Sequence, residues 1–234
     1  MTLFARAPSS RNGGPGGAGR ARRVIVSVVL AALLLPVVAV LAYRFVPPPI
    51  TPLRVIRWAG GAPVRQRWVP LARISPALIR AVVASEDEKF CFHHGFDWDQ
   101  LGESWKEWRA GHAPRGASTI SMQTAKNLFL WPGRSVLRKG VEAYITVLLE
   151  LFWSKQRIIE TYLNVIEWGN GIFGAEAAAQ HYFGVSAAQL GPEQAARLAA
   201  MAPNPRFYEH HQGAPGLNRK IRIILARMPA ADLP

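Results

Sequence analysis

A mostly α-helical domain carried behind one N-terminal membrane-spanning helix is the fold class this sequence predicts. Three observations lead there. Val24 to Tyr43 is an uncharged, apolar run of twenty residues, the length a helix needs to cross a bilayer core. From Ser75 almost to the C-terminus, apolar residues recur at spacings of three and four between capping residues. Charge also divides the chain. Residues 1–85 hold twelve arginines and no acid, whereas sixteen Lys and Arg nearly balance fifteen acids from Glu86 onward.

The N-terminal element is read first. Residues 1–19 are rich in Gly, Ser and Pro and predict disorder. Arg6, Arg11, Arg20, Arg22 and Arg23 precede the apolar run, and only Arg44 closely follows it. The positive-inside rule then puts the short N-terminus in the cytoplasm and the rest outside. A cleaved signal peptide is the rival, but the run is longer than a usual signal core. Proline at position 36 is tolerable within a membrane helix. The segments are therefore a cytoplasmic basic arm (1–23), a transmembrane helix (24–46), a membrane-proximal linker (47–67) and a folded domain (68–228).

Pro47, Pro48, Pro49 and Pro52 predict a stiff extended exit. Residues 53–74, dotted with Trp58, Trp68, Val and Ile, read as a short strand or two. Ser75-Pro76 is a cap with proline at the first helical position. Ile79, Val82, Val83, Glu86 and Phe90 then form a stripe. Residues 91–117 predict a loop region with a short helix near 99–109. Ser118 is read as the cap of a helix running to about Leu130. A helix over 135–153 has a wide apolar face from Val136 to Phe152 and is read as the central core helix. Ser154 caps another, whose face is Ile158, Ile159, Tyr162, Leu163 and Ile166. Further helices are expected at 175–183, 192–201 and about 217–228.

The basic excess lies on the arm and not on the folded part. That argues against nucleic acid and for anionic lipid head groups. The lone Cys91 permits no internal disulfide. The histidines lack the spacing of a zinc site.

Three elements carry chemistry. Glu86 is the first acid in the chain and lies on an apolar stripe, where desolvation favours its neutral form and raises its pKa toward the range of a general base. A buried ion-pair partner is the equally weighted alternative. Thr119, Gln123, Lys126 and Asn127 share one side of a helix, with one cation among hydrogen-bond formers suited to sugars and phosphates. Arg138 and Glu142 are four apart, a spacing that commonly makes a helix ion pair and nothing more. Two glutamates with several cations nevertheless match the needs of transfer from a diphosphate-activated sugar.

The run Glu86-Asp87-Glu88-Lys89-Phe90-Cys91-Phe92-His93-His94-Gly95-Phe96-Asp97 closely resembles the first signature of the peptidoglycan glycosyltransferases. Gly116 to Gln123 with Lys126-Asn127-Leu128-Phe129 resembles the second. Arg138-Lys139 with Glu142, then Lys155 with Ile158 to Asn164, resembles the third and fourth. Gly171 to Ala178 with Tyr182-Phe183-Gly184 resembles the fifth. Ala117 and Met122 depart from residues common in that family.

The resemblance implies a lysozyme-like helical fold with head and jaw lobes, in a monofunctional, single-pass protein of a bacterial inner membrane whose catalytic domain is periplasmic. It implies polymerisation of lipid II into β-1,4 glycan strands, with inversion and release of undecaprenyl diphosphate. Glu86 would be the general base and Glu142 the second carboxylate, organising the diphosphate or its metal. Lys126, Arg138 and Lys139 would face the pyrophosphates, and Thr119, Gln123 and Asn127 would line the sugar sites. Asp87, Phe90 and His93 would support Glu86. A divalent cation, Mg2+ or Mn2+, is expected, and no organic cofactor. Expected partners are lipid II, the growing polyprenyl-linked strand, the membrane, and proteins of cell-wall synthesis or division. The rivals are a lytic glycosidase, which would have no diphosphate to neutralise, and an inert anchor protein, which would have lost Glu86 or Glu142.

Overall fold

The computed structural model describes residues 16–112, 116–133 and 135–234. Contacts divide the chain into two units, one ending at Ala39 and one spanning Val40–Pro234. Of the residues 1–19 expected to be disordered, 1–15 lie outside the described residues and 16–19 are helical. Helix α1 (Gly16–Tyr43) starts earlier than expected, so Gly16 and the arginines at 20, 22 and 23 are helical. It is long and apolar enough to cross a membrane, and most of its side chains from Val24 to Leu35 are exposed.

The second unit is mostly helical with one small sheet. Residues 53–74 bear out the strand expectation only at Arg65–Gln66 and correct it before that. Pro52–Ala59 is helix α2, with Thr51 at its N-cap position and Pro52 at its start. Proline's fixed φ suits a first helical turn. Arg57 then reaches Glu167 through two 2.8 Å bonds, from Nε to Oε1 and from Nη2 to Oε2. The helix that carries Arg57 to Glu167 leaves exposed the β-branched residues that suggested a strand, Val55 and Ile56.

Three two- or three-residue strands form the sheet in the order β1–β3–β2. β1 (Arg65–Gln66) runs parallel to β3 (Ile172–Phe173), and β2 (Glu167–Gly169) pairs with β3 antiparallel across an irregular register. A strand thus follows directly on Ile166, the last residue of the face predicted for α7.

Two helical groups build the core. In the first, α3 (Pro76–Glu86) packs on α9 (Pro192–Met201) and α11 (Pro215–Arg227). Leu78, Val82, Leu198 and Leu217 are fully buried there. In the second, α5 (Ile120–Phe129) packs on α6 (Val136–Phe152) and α7 (Lys155–Val165). Ile158, Ile159, Tyr162 and Leu163 are fully buried, each such aliphatic side chain contributing about 1.5–3 kcal/mol. The face predicted for α7 is therefore the true core.

The one predicted for α6 is core only in its C-terminal half, where Ile145, Leu148 and Leu149 are buried. Val136 and Leu137 are 93% and 78% exposed, while Arg138, Glu142 and Thr146 are buried alongside Ile145 and Leu149. Helix α6 turns a polar stripe inward because α5 presents polar partners to it. The remaining helices are α4 (Trp98–Arg109), α8 (Ala175–Phe183) and the unexpected α10 (Pro205–His210).

Arg157 at the start of α7 binds the carbonyl end of α1. Its Nε and Nη2 donate to Tyr43 O at 3.0 and 2.6 Å, and Nη2 also donates to Val46 O at 2.8 Å. Trp153 Nε1 donates to Val40 O at 2.8 Å. A cation satisfying the last carbonyls of a helix also meets the negative end of its dipole. Glu160 holds the same guanidinium at 2.5 Å and accepts Leu71 N–H at 2.9 Å.

Candidate active site

Glu86 is the last residue of α3, where Asp87 N–H closes the final turn on Val83 O. The stripe leading to it is buried as predicted. Phe90 lies beyond the helix end and reaches the core through a following turn. The Glu86 carboxylate is half-buried. Its Oε2 accepts Gln123 Nε2 at 2.9 Å and its Oε1 accepts Ser85 Oγ at 3.4 Å.

Burial raises its pKa above the ordinary glutamate value, against the opposing effects of the Gln123 and Ser85 hydrogen bonds and the charges of Lys220 and Lys126. A carboxylate whose charged form is disfavoured by burial holds a proton more readily than a solvated one. Glu86 opens on a cavity of about 340 Å3 whose lining includes Ser85, Gln100, Glu103 and Arg227. A second cavity of about 180 Å3, bounded by Ala200, Lys220 and Ile223, shares Ser85, Glu86 and Arg227 with it.

The neighbours of Glu86 form a clamp. Asp87 Oδ1 and Oδ2 lie 2.9 and 3.0 Å from His93 Nε2. Gly95 N–H donates to His93 Nδ1 at 3.1 Å, so the proton facing Asp87 is on Nε2. Asp87 Oδ2 also accepts Ile120 N–H at 2.9 Å, at the first turn of α5. A carboxylate there satisfies an orphan donor and favours the helix dipole.

The clamp corrects two expectations, both at Thr119. Thr119, not Ser118, caps α5; its Oγ1 accepts Met122 N–H and donates to Gly95 O at 2.7 Å. It is buried outside the helical turns, so it does not share the outward face of Gln123 and Lys126. Phe90 is fully buried and packs under Lys155, whose Nζ sits 4.5 Å from the ring centroid. Asp87 bonds to the start of α5 and His93 bonds to Asp87, so they support Glu86 through the backbone that carries it.

The cationic group lies along α5 and α6. Arg138 Nη1 donates to Glu142 Oε2 at 2.8 Å and Lys139 Nζ to Oε1 at 2.5 Å. Lys139 Nζ also donates to Ser118 Oγ at 3.2 Å. Lys126 feels both carboxylates. Burial lowers its pKa, Arg138 and Lys139 lower it further, and Glu142 and Glu86 oppose them. A half-buried ammonium held among other cations is a site for a multivalent anion. Asn127 donates to Gln123 O at 2.8 Å on its own helix.

No three His, Cys, Asp or Glu side chains among the described residues come together as metal ligands. Both Glu142 oxygens already accept from cations of the chain. Hard divalent ions need several free oxygens, so these residues do not fit a resident Mg2+ or Mn2+ held by protein alone.

Sequence reasoning missed Tyr162, whose Oη donates to Gln123 Oε1 at 3.2 Å. It was counted only as part of the apolar face of α7, and a tyrosine among aliphatics on a fully buried face was the available signal. Glu150 was also missed; it accepts from Ser121 Oγ and from Lys155 Nζ beneath the clamp.

A family model described as Transglycosylase matches residues 54–229. Among curated relatives, each named biosynthetic peptidoglycan transglycosylase, the protein of Dechloromonas aromatica is 61% identical over 174 residues, covering 74% of this chain and 75% of its own length. That of Caulobacter vibrioides is 57% identical over 188 residues, covering 79% and 82%. That of Rhodospirillum centenum is 53% identical over 205 residues, covering 87% and 89%.

Proposed function

The chain belongs to the transglycosylase family and is a peptidoglycan glycosyltransferase, and on that premise we propose that it polymerises lipid II with Glu86 as the general base. The observation that carries this reading is the pairing of a half-buried, proton-seeking carboxylate with a cationic group reached along one helix, α5.

Glu86 takes the proton from the 4-hydroxyl of the acceptor's N-acetylglucosamine. The oxygen forms a bond to the anomeric carbon of the donor's N-acetylmuramic acid from the face opposite the leaving group, so configuration inverts. The bond from that carbon to the diphosphate breaks, and undecaprenyl diphosphate leaves with the electron pair. Its developing charge is met by Lys126, Arg138 and Lys139, and charge aimed where it develops is usually the largest catalytic effect. Glu142 holds Arg138 and Lys139 in place for that task. Gln123 and Asn127 offer amides to the sugars. No step is assigned to Mg2+ or Mn2+.

Both substrates of this reaction carry polyprenyl tails, and the apolar length of α1 supports a single-pass anchor beside them. The arginines before it support a cytoplasmic N-terminus and a periplasmic domain on the inner membrane.

The test is to incubate the full-length protein with fluorescent lipid II in detergent, beside Glu86→Gln. Strands that muramidase later cuts, absent in the variant, are expected. Strands from Glu86→Gln would remove the base assignment, and shortening of pre-made strands would point to a hydrolase.

A further inference from the structure

We propose that Tyr162 is a positioning residue for the proton transfer: its hydroxyl fixes the Gln123 amide in the one orientation that presents an N–H to Glu86. The inference rests on the reading of Glu86 as the base.

A glutamine amide is nearly symmetric in shape and opposite in chemistry at its two ends. With nitrogen toward Glu86 it donates to a carboxylate. Turned over, it sets a carbonyl oxygen against that carboxylate and disfavours the charged form. Its neighbours decide the orientation. Nε2 lies 2.9 Å from Glu86 Oε2 and 3.3 Å from Ser118 O. Both are acceptors when Glu86 is ionised, and together they use both amide protons. Oε1 faces Tyr162 Oη at 3.2 Å.

Tyr162 is fully buried, and burial, with the charges of Glu86 and Asp87, holds its phenol well above the usual tyrosine range. It therefore keeps its proton and donates throughout the working range. Removing that donor takes away the partner of the part-buried Oε1 and lowers the cost of turning the amide over.

Other charges face Glu86 from each packed element. Lys126 comes from α5, Lys220 and Arg227 from α11, and Glu103 and Glu107 of α4 line the larger cavity. Helix α9 brings Ala200 and no charge to the smaller one. The Gln123 amide bonds to Glu86, Ser118 and Tyr162, so Tyr162→Phe alters one contact of that set and keeps the ring.

The experiment is kcat/KM for lipid II polymerisation against pH for wild type, Tyr162→Phe, Gln123→Ala, the double variant and Glu86→Gln. A hydrogen bond to a carboxylate favours its charged form, so losing it moves the acid limb to higher pH. Tyr162→Phe is expected to lose about tenfold in kcat/KM at the acid end while its alkaline plateau stays within about threefold. Gln123→Ala is expected to move the same limb, and adding Tyr162→Phe to it to move it no further.

A uniform loss across pH, an unmoved limb, or a further shift in the double variant would overturn the proposal. An unmoved limb in Gln123→Ala overturns it however well Tyr162→Phe folds. Activity in Glu86→Gln would instead sink the base assignment, so the two failures are distinguishable.

Discussion

Asp87 and Ile120 are joined by a 2.9 Å hydrogen bond from the Ile120 N–H to Asp87 Oδ2. The residue next to the proposed base is thereby the anchor of the helix that carries Gln123 and Lys126. The distance from base to cations is set in part by this bond, because Glu86 ends one helix and Ile120 begins the other.

Thr119 makes a test of that clamp. A cap lost to alanine costs about 1 kcal/mol, and the bond to Gly95 O adds to it. Thr119→Ala is expected to lower the midpoint in urea while KM for lipid II moves little. A raised KM at unchanged stability would restore the sugar-lining role first expected for it.

Glu142 is buried with Arg138 and Lys139 on its two oxygens. Glu142→Ala leaves the Arg138 guanidinium buried without its counter-charge. Breaking a buried pair in this way costs about 3 kcal/mol or more. Chemical denaturation should show that loss even without substrate, and an unaltered midpoint would mean that the pair is not formed in solution.

Lys126 behaves in the opposite sense. Burial and two like charges lower its pKa, so its charged form opposes folding. Lys126→Met is expected to hold or raise the melting temperature while slowing donor use about tenfold or more. Unchanged kinetics would contradict the diphosphate role.

The pH dependence follows from Glu86. The base must be ionised to accept a proton, and burial keeps its pKa above the ordinary glutamate value. Activity should therefore fall, as pH drops, at a higher pH than a solvated glutamate would dictate. A kcat/KM profile with its acid limb in the ordinary glutamate range would show a solvated carboxylate.

Arg157 and Trp153 predict how truncation behaves. A chain starting at Val40 keeps the carbonyls of Val40, Tyr43 and Val46 that they bind, and one starting at Pro47 does not. The longer chain is expected to melt several degrees higher in detergent. Equal melting temperatures would mean that the contacts add nothing to stability.

Helical periodicity revealed most of this fold because α3, α5, α7 and α9 each bury one face. Ser75, Ser154 and the starts of α8 and α9 were legible for the same local reason. Periodicity failed where a side chain's partner is distant in sequence. The strand reading at Val55 and Ile56 lost to a helix that Arg57 fastens to Glu167. The apolar first turn of α6 was misread as core, since only the polar faces of α5 and α6 together show which side turns inward. Glu86 was legible as a carboxylate ending an apolar stripe. Tyr162 was not, because its meaning depends on an amide thirty-nine residues away.

Gly95 lies where three of these segments meet. Its N–H holds His93, its carbonyl holds Thr119, and its φ is +91°. A Cβ there would stand 2.9 Å from Thr146 Cγ2 and 3.1 Å from Glu150 Cγ. A side chain at this position is strained by the backbone and crowded by α6 at once. In a genetic screen, Gly95→Ala is the kind of lesion that gives a temperature-sensitive allele: every reacting group is still encoded, and the joint aligning them gives way on warming.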